Sequence, residues 1–106
     1  MSNDFYLECK HCNSTVFKVN FTHNYREMAD KAGIYEVLWH PQKGLRAKKI
    51  IKTIETGLAN LVNRPDYFKQ FNPENGWGNY DHFVPKVNDV LEACKKFPKA
   101  IVRADV

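Results

Sequence analysis

From Leu45 to Asn63 the apolar residues recur at helical intervals: Ala47, Ile50, Ile51, Ile54, Leu58, Leu61 and Val62. A helix with one such stripe gains little in water alone and must bury that stripe against something else. A second stripe closes the chain's last third, where Phe83, Val84, Val87, Val90, Leu91 and Cys94 mark another helix. Two one-sided helices in 106 residues demand a shared apolar partner, and only one core fits a chain of that length. We therefore read residues 1–106 as a single domain.

The partner surface is a small sheet. "DFYLE" (4–8) and "STVFKVNFT" (14–22) are rich in aromatic and β-branched residues. The second run alternates, with Phe17, Val19 and Phe21 on one face and Lys18 and Asn20 on the other. "CKHCN" joins the two runs as a tight turn, with Asn13 suited to a left-handed position. "KAIVRADV" at the end reads as a strand that returns to this hairpin. Shorter helices are expected over "YREMADKAG", stopped by Gly33 and capped by Thr22 or Asn24, over "IYEVLW" (34–39), and over "RPDYFKQF" (64–71). For the last helix we expect Asp81 as the cap, with Pro85 close to the first turn. The fold class is α+β: a mostly antiparallel sheet, N-terminal hairpin plus C-terminal strand, packed against several helices.

Bulk properties narrow the function classes. Hydrophobic residues make up 43% and charged residues 26%, which argues for a folded domain over a disordered one. No apolar run approaches the roughly 20 residues of a membrane span. The opening "MSNDFYLECK" lacks the basic-then-apolar layout of a signal peptide, so a cytoplasmic location is expected. The net charge of +4 suits an anionic ligand or acidic partner but is too mild to imply nucleic acid by itself.

Several groups could carry chemistry, each with a plainer alternative. Cys9-Lys-His-Cys12 has the spacing of half a zinc knuckle, but a second such pair is absent. The two cysteines are either zinc ligands, in one variant with the ion shared between two chains, or free thiols at a hairpin tip. A redox role calls for the pair at a helix N-terminus, whereas this one precedes a strand. Cys94 lies on the last apolar stripe, as a buried small hydrophobe would. Thr22-His23-Asn24 stands where strand gives way to helix, so these residues either cap or offer a hydroxyl, an imidazole and an amide to an anion. Arg46, Lys48 and Lys49 belong to an acid-free run, "KGLRAKKIIK", that is either a solvated face or an anion site at a helix start. Trp39 and Trp77 are the only tryptophans, and both fall at element ends. Within "FNPENGWGNYD" (71–81) two glycines let the backbone turn about Trp77, while Asn72, Asn75 and Asn79 can satisfy local backbone groups. Such a loop fixes an indole, either for packing or for a ligand. We find no GxSxG, Walker A, HExxH or paired-carboxylate pattern, and a hydrolase built on His23 or His40 has no assignable partner.

The segments "NFTHNYREMADKAGIYEVLWHP" and "FNPENGWGNYDHFVPKVNDVLEACKKFP" resemble a family of small proteins from bacteriophages and bacterial genomes. Those proteins share the pattern THN…GIY…LW…NPxNGWG…LEAC, and the likeness covers roughly residues 5 to 104. It implies a phage-type accessory protein acting by binding, in the host cytosol. One such role is sequestration of a nucleotide signal used in host defence. Trp39 or Trp77 would stack the base, Thr22, His23, Asn24, Arg46, Lys48 and Lys49 would hold phosphates, and Asn75 would support the loop; a homo-oligomer would suit a pocket built between subunits. The alternatives are a protein-interaction module that inhibits a host defence protein, or a zinc-dependent nucleic-acid binder.

Overall fold

The computed structural model describes residues 2–106, and the α+β expectation holds: a three-stranded antiparallel sheet packs against five helices. Strand β1 (Ser2–Glu8) pairs with β2 (Thr15–Thr22) on one side and with β3 (Ile101–Asp105) on the other. Phe5 lies opposite Val19 and Ala104, and Leu7 opposite Phe17 and Val102. One face of the sheet is therefore apolar. The hairpin turn closes through Cys9 N–H to Ser14 O (2.8 Å) and Asn13 N–H to Cys9 O (2.9 Å), and Asn13 takes the left-handed position at φ 58°.

Five helices cover that face: α1 (Arg26–Ala32), α2 (Tyr35–Trp39), α3 (Ile51–Asn63), α4 (Pro65–Lys69) and α5 (Tyr80–Lys96). Gly33 ends α1 at φ 81°, as its position after the periodic residues requires. Phe5, Leu7, Phe21, Met28, Leu38, Ile54, Leu61, Phe83, Val87 and Val102 belong to one continuous buried cluster. Helix α3 meets the α1–α2 junction at Gly57, where a Cβ would lie 2.3 Å from Ile34 Cγ2.

Three local expectations need correction. The stripe from Ala47 does not form one helix: Ala47–Lys49 is a 3-10 turn and α3 begins at Ile51. Val62, placed on that stripe, is 56% exposed, because Leu61 alone at that level faces the core. The N-cap position of α5 is Asn79 rather than Asp81, so the helix begins at Tyr80 and Pro85 falls inside it. There its missing N–H leaves the Asp81 carbonyl without its usual helical partner. Among the described residues no helix is long and apolar enough to cross a membrane.

Candidate functional site

Two regions of the surface collect the residues singled out from the sequence, and they lie at opposite ends of β1. The first forms where β2 ends. Thr22 precedes a single 3-10 turn (His23–Tyr25), and its hydroxyl faces Asn24 N–H at 3.5 Å, a marginal cap. Asn24 does not cap at all. Its amide Nδ2 donates to the carbonyl of Trp77, at 2.9 Å across 53 residues of sequence. His23 Nδ1 accepts the indole N–H of Trp39 at 3.1 Å. An indole N–H can only donate, so Nδ1 carries a lone pair and a neutral His23 has its proton on Nε2. Burial, assisted by the Arg26 charge, holds the His23 pKa below its usual value and favours that neutral form.

The loop from Asn72 to Asn79 is pinned from both sides. Asn72 Oδ1 accepts from Tyr80 N–H at 2.7 Å and so caps α5 from outside. Asn75 Oδ1 accepts from Trp77 N–H at 2.9 Å. Asn79 departs from the expected pattern: its carbonyl receives the His82 and Phe83 amides, but its side-chain oxygen is buried without a hydrogen-bond partner. Gly78 is buried against the THN segment at φ 100°, where any Cβ would sit 2.9 Å from Asn24 Cβ. Gly76, also at positive φ, has open space around it. The loop thus holds the Trp77 backbone while leaving its side chain 71% exposed. Behind the indole runs a cleft of about 410 Å³, with Asn20, Thr22, Tyr25, His82 and Lys86 on its walls. Lys86 Nζ is itself fixed there, donating to Asn20 O at 2.5 Å and lying 5.8 Å from the centre of the Tyr25 ring.

Trp39 behaves differently from Trp77. It is 1% exposed, stacked on Tyr35 with ring centres 5.4 Å apart and tilted against Phe21. Its ring presents no free face on which a base could stack. The tryptophan at the end of α2 is a core residue whose polar edge is satisfied by His23.

The second region lies at the far end of the sheet. Arg46 bridges to Ile101, which pairs with Glu8, whereas Thr22 pairs with Ser2. The length of β1 separates them, about 20 Å at the usual rise per residue. A phosphate set drawn from both Thr22–Asn24 and Arg46–Lys49 of one chain is therefore not assembled. Nor is the start of the basic segment an open anion cradle. Ala47 N–H donates to Ala100 O (2.8 Å) and Lys48 N–H to Pro98 O (2.9 Å), so backbone carbonyls take these donors.

Cys9 and Cys12 share this end, at the hairpin turn. Cys12 is exposed, and hydrogen bonds from the Ser14 side chain, the Cys9 thiol and the Ser14 backbone lower its pKa to about 7. Deprotonated sulfur is the form that binds metals and attacks electrophiles. Among the described residues no group of three or more His, Cys, Asp or Glu side chains converges as a metal site, so this pair alone would supply two ligands. Cys94 is buried on α5, as its place on the stripe implies, and burial pushes its thiol up to about 12.

Comparison with family models, curated proteins and solved structures yields no match to this chain. Sequence reasoning missed the contribution of Tyr25, His82 and Lys86 to the Trp77 cleft. His82 and Lys86 are one helical turn apart on α5, a spacing that becomes informative only once α5 is known to flank the loop.

Proposed function

We propose that this chain is a binding module that docks on a partner protein through the Trp77 loop. The observation that carries the reading is an indole 71% exposed on a backbone held by the Asn24 and Asn75 side chains and by Gly78. Large aromatic side chains are the most frequent energetic anchors of protein interfaces. Fixing the backbone beforehand lowers the ordering cost that binding would otherwise incur. Asn20, Thr22, His82 and Lys86 on the walls of the cleft behind the ring supply hydrogen-bonding groups of the kind found at the rim around such an anchor. The resemblance described above suggests a host defence protein as the target class.

A second reading, capture of a nucleotide, is favoured by one observation: Lys86 and His82 line the same cleft as Trp77. In that reading Trp77 stacks the base and Lys86 meets a phosphate, with no role for Trp39 or the Arg46 segment. The two readings separate in one pair of experiments. Trp77→Ala is expected to keep the fold and to remove the partner from affinity purifications, with a loss of about 2 kcal/mol or more in binding. Nucleotides at 100 times a dissociation constant would stabilise the protein by about 2.7 kcal/mol, whereas protein docking predicts no such shift. An undiminished pull-down with Trp77→Ala would refute the first reading.

A further inference from the structure

A second cleft opens at the opposite end of the sheet, where three distant segments meet: the hairpin turn, the stretch around Arg46, and the chain after α5. Its volume is about 560 Å³. Val16, Phe97 and Pro98 contribute apolar wall, while Lys10, Arg46, Lys96 and Lys99 bring positive charge to it. No acidic residue lines it. The salt bridges among the described residues are Lys18–Asp4, Lys95–Glu55 and Arg103–Glu8, so none of these four cations is neutralised by a carboxylate. Lys96 suits the last turn of α5, where the helix dipole favours a cation, but Lys10, Arg46 and Lys99 come from other segments and add like charge beside it with no carboxylate to offset the repulsion.

We propose that this cleft binds an acidic peptide segment, seating one apolar side chain on the Phe97–Pro98 wall and its flanking Asp or Glu carboxylates against Lys10, Arg46, Lys96 and Lys99. The charge and the apolar wall must be satisfied together. A nucleic-acid backbone meets the charge but leaves the apolar wall against water. Compact phosphate recognition draws on backbone N–H groups, and those of Ala47 and Lys48 are engaged with Ala100 and Pro98 carbonyls. The remaining donors are long side chains around a rim. They suit carboxylates spaced along an extended chain.

The site is independent of the Trp77 reading and is tested on the full chain by fluorescence anisotropy. The probe is a fluorescein-labelled peptide with the core Glu-Asp-Leu-Glu-Asp. Saturable binding is expected, weakening as salt is raised from roughly 20 to 200 mM because these charges are exposed. Replacing the peptide's leucine with serine should weaken binding several-fold, and the protein variant K96E/K99E should weaken it about tenfold or more. Both lysines are exposed, so this variant keeps the core intact, and a circular dichroism melt checks that it does. Trp77→Ala should bind the peptide unchanged, which separates this site's failure from failure of the Trp77 reading. No saturable binding, or binding unaffected by the charge reversal or by the leucine change, overturns the proposal. So does a labelled thymidine oligonucleotide that binds more tightly than the peptide at the same salt.

Discussion

Alanine at Gly78 would test whether the Trp77 loop is clamped or merely adjacent to the THN segment. The position has φ 100°, and a new Cβ would lie 2.9 Å from Asn24 Cβ and 3.2 Å from Thr22 Cγ2. Carbon atoms are comfortable from about 3.5 Å. Holding a residue with a Cβ in such a backbone region costs about 1–3 kcal/mol. The overlap adds about 1 kcal/mol or more, because Asn24 Cβ is fixed to its backbone and cannot rotate aside. The loop has an escape: it can lift away, giving up the Asn24–Trp77 hydrogen bond, worth about 1 kcal/mol, and its packing. The smaller of these costs sets the outcome, so we expect a loss of about 2 kcal/mol. That corresponds to a Tm lower by about 8–16 °C for a domain of this size. Urea titration measures the free energy, and hydrogen exchange of the 76–79 amides reports whether the loop lifts. Asn24→Ala, which keeps the glycine, should cost about 1 kcal/mol. A Gly78→Ala protein within about 0.5 kcal/mol of the parent would refute the clamp and, with it, the view of Trp77 as a pre-positioned anchor.

At Gly57 two effects oppose each other. Alanine gains about 1 kcal/mol of helix propensity in α3, but its Cβ would meet Ile34 Cγ2 at 2.3 Å and the Ala32 carbonyl at 3.1 Å, and overpacking costs about 1–3 kcal/mol. Gly57→Ala should therefore be net destabilising by about 1 kcal/mol in urea titration, and a more stable variant would contradict the close helix contact. His23 predicts a pH dependence. Its folded pKa is lowered, so the unfolded chain takes up the proton first. Its contribution is present above the unfolded value of about 6.5 and is lost as pH falls through the lowered folded value. The urea midpoint should fall as pH drops below about 6.5, and His23→Gln should flatten that fall; an identical slope in both proteins would exclude His23 as its source.

The sheet was legible because alternation at Phe17, Val19 and Phe21 admits one buried face, and Asn13 and Gly33 each mark a backbone position that few residues accept, whereas the register, which shifts between Leu7 and Glu8, was not. Boundaries were harder to read. Asp81 is as good a capping residue as Asn79, and the choice was made by Asn72, which reaches Tyr80 N–H from across the loop. Trp39 and Trp77 look alike in sequence, each at the end of a short element. What separates them is whether a neighbour accepts the indole N–H in the core, and His23 does so for Trp39 only. The basic run around Arg46 showed its charge but not its company. Lys10, Lys96 and Lys99 join it through strand pairing and the α5 terminus, contacts that no local pattern encodes.

The central strand, β1, has one neighbour close to it in sequence, β2, and one far from it, β3. Leu7 lies opposite Val102, so one side of β1 is paired with residues remote from it in sequence. Such long-range pairings are slow to form because the whole intervening chain must be brought round first. During synthesis β1 can pair with β2 early, but its other edge stays open until residues 101–105 emerge from the ribosome. Until β3 is in place the hairpin carries an unsatisfied strand edge along β1, of the kind that pairs readily with another chain.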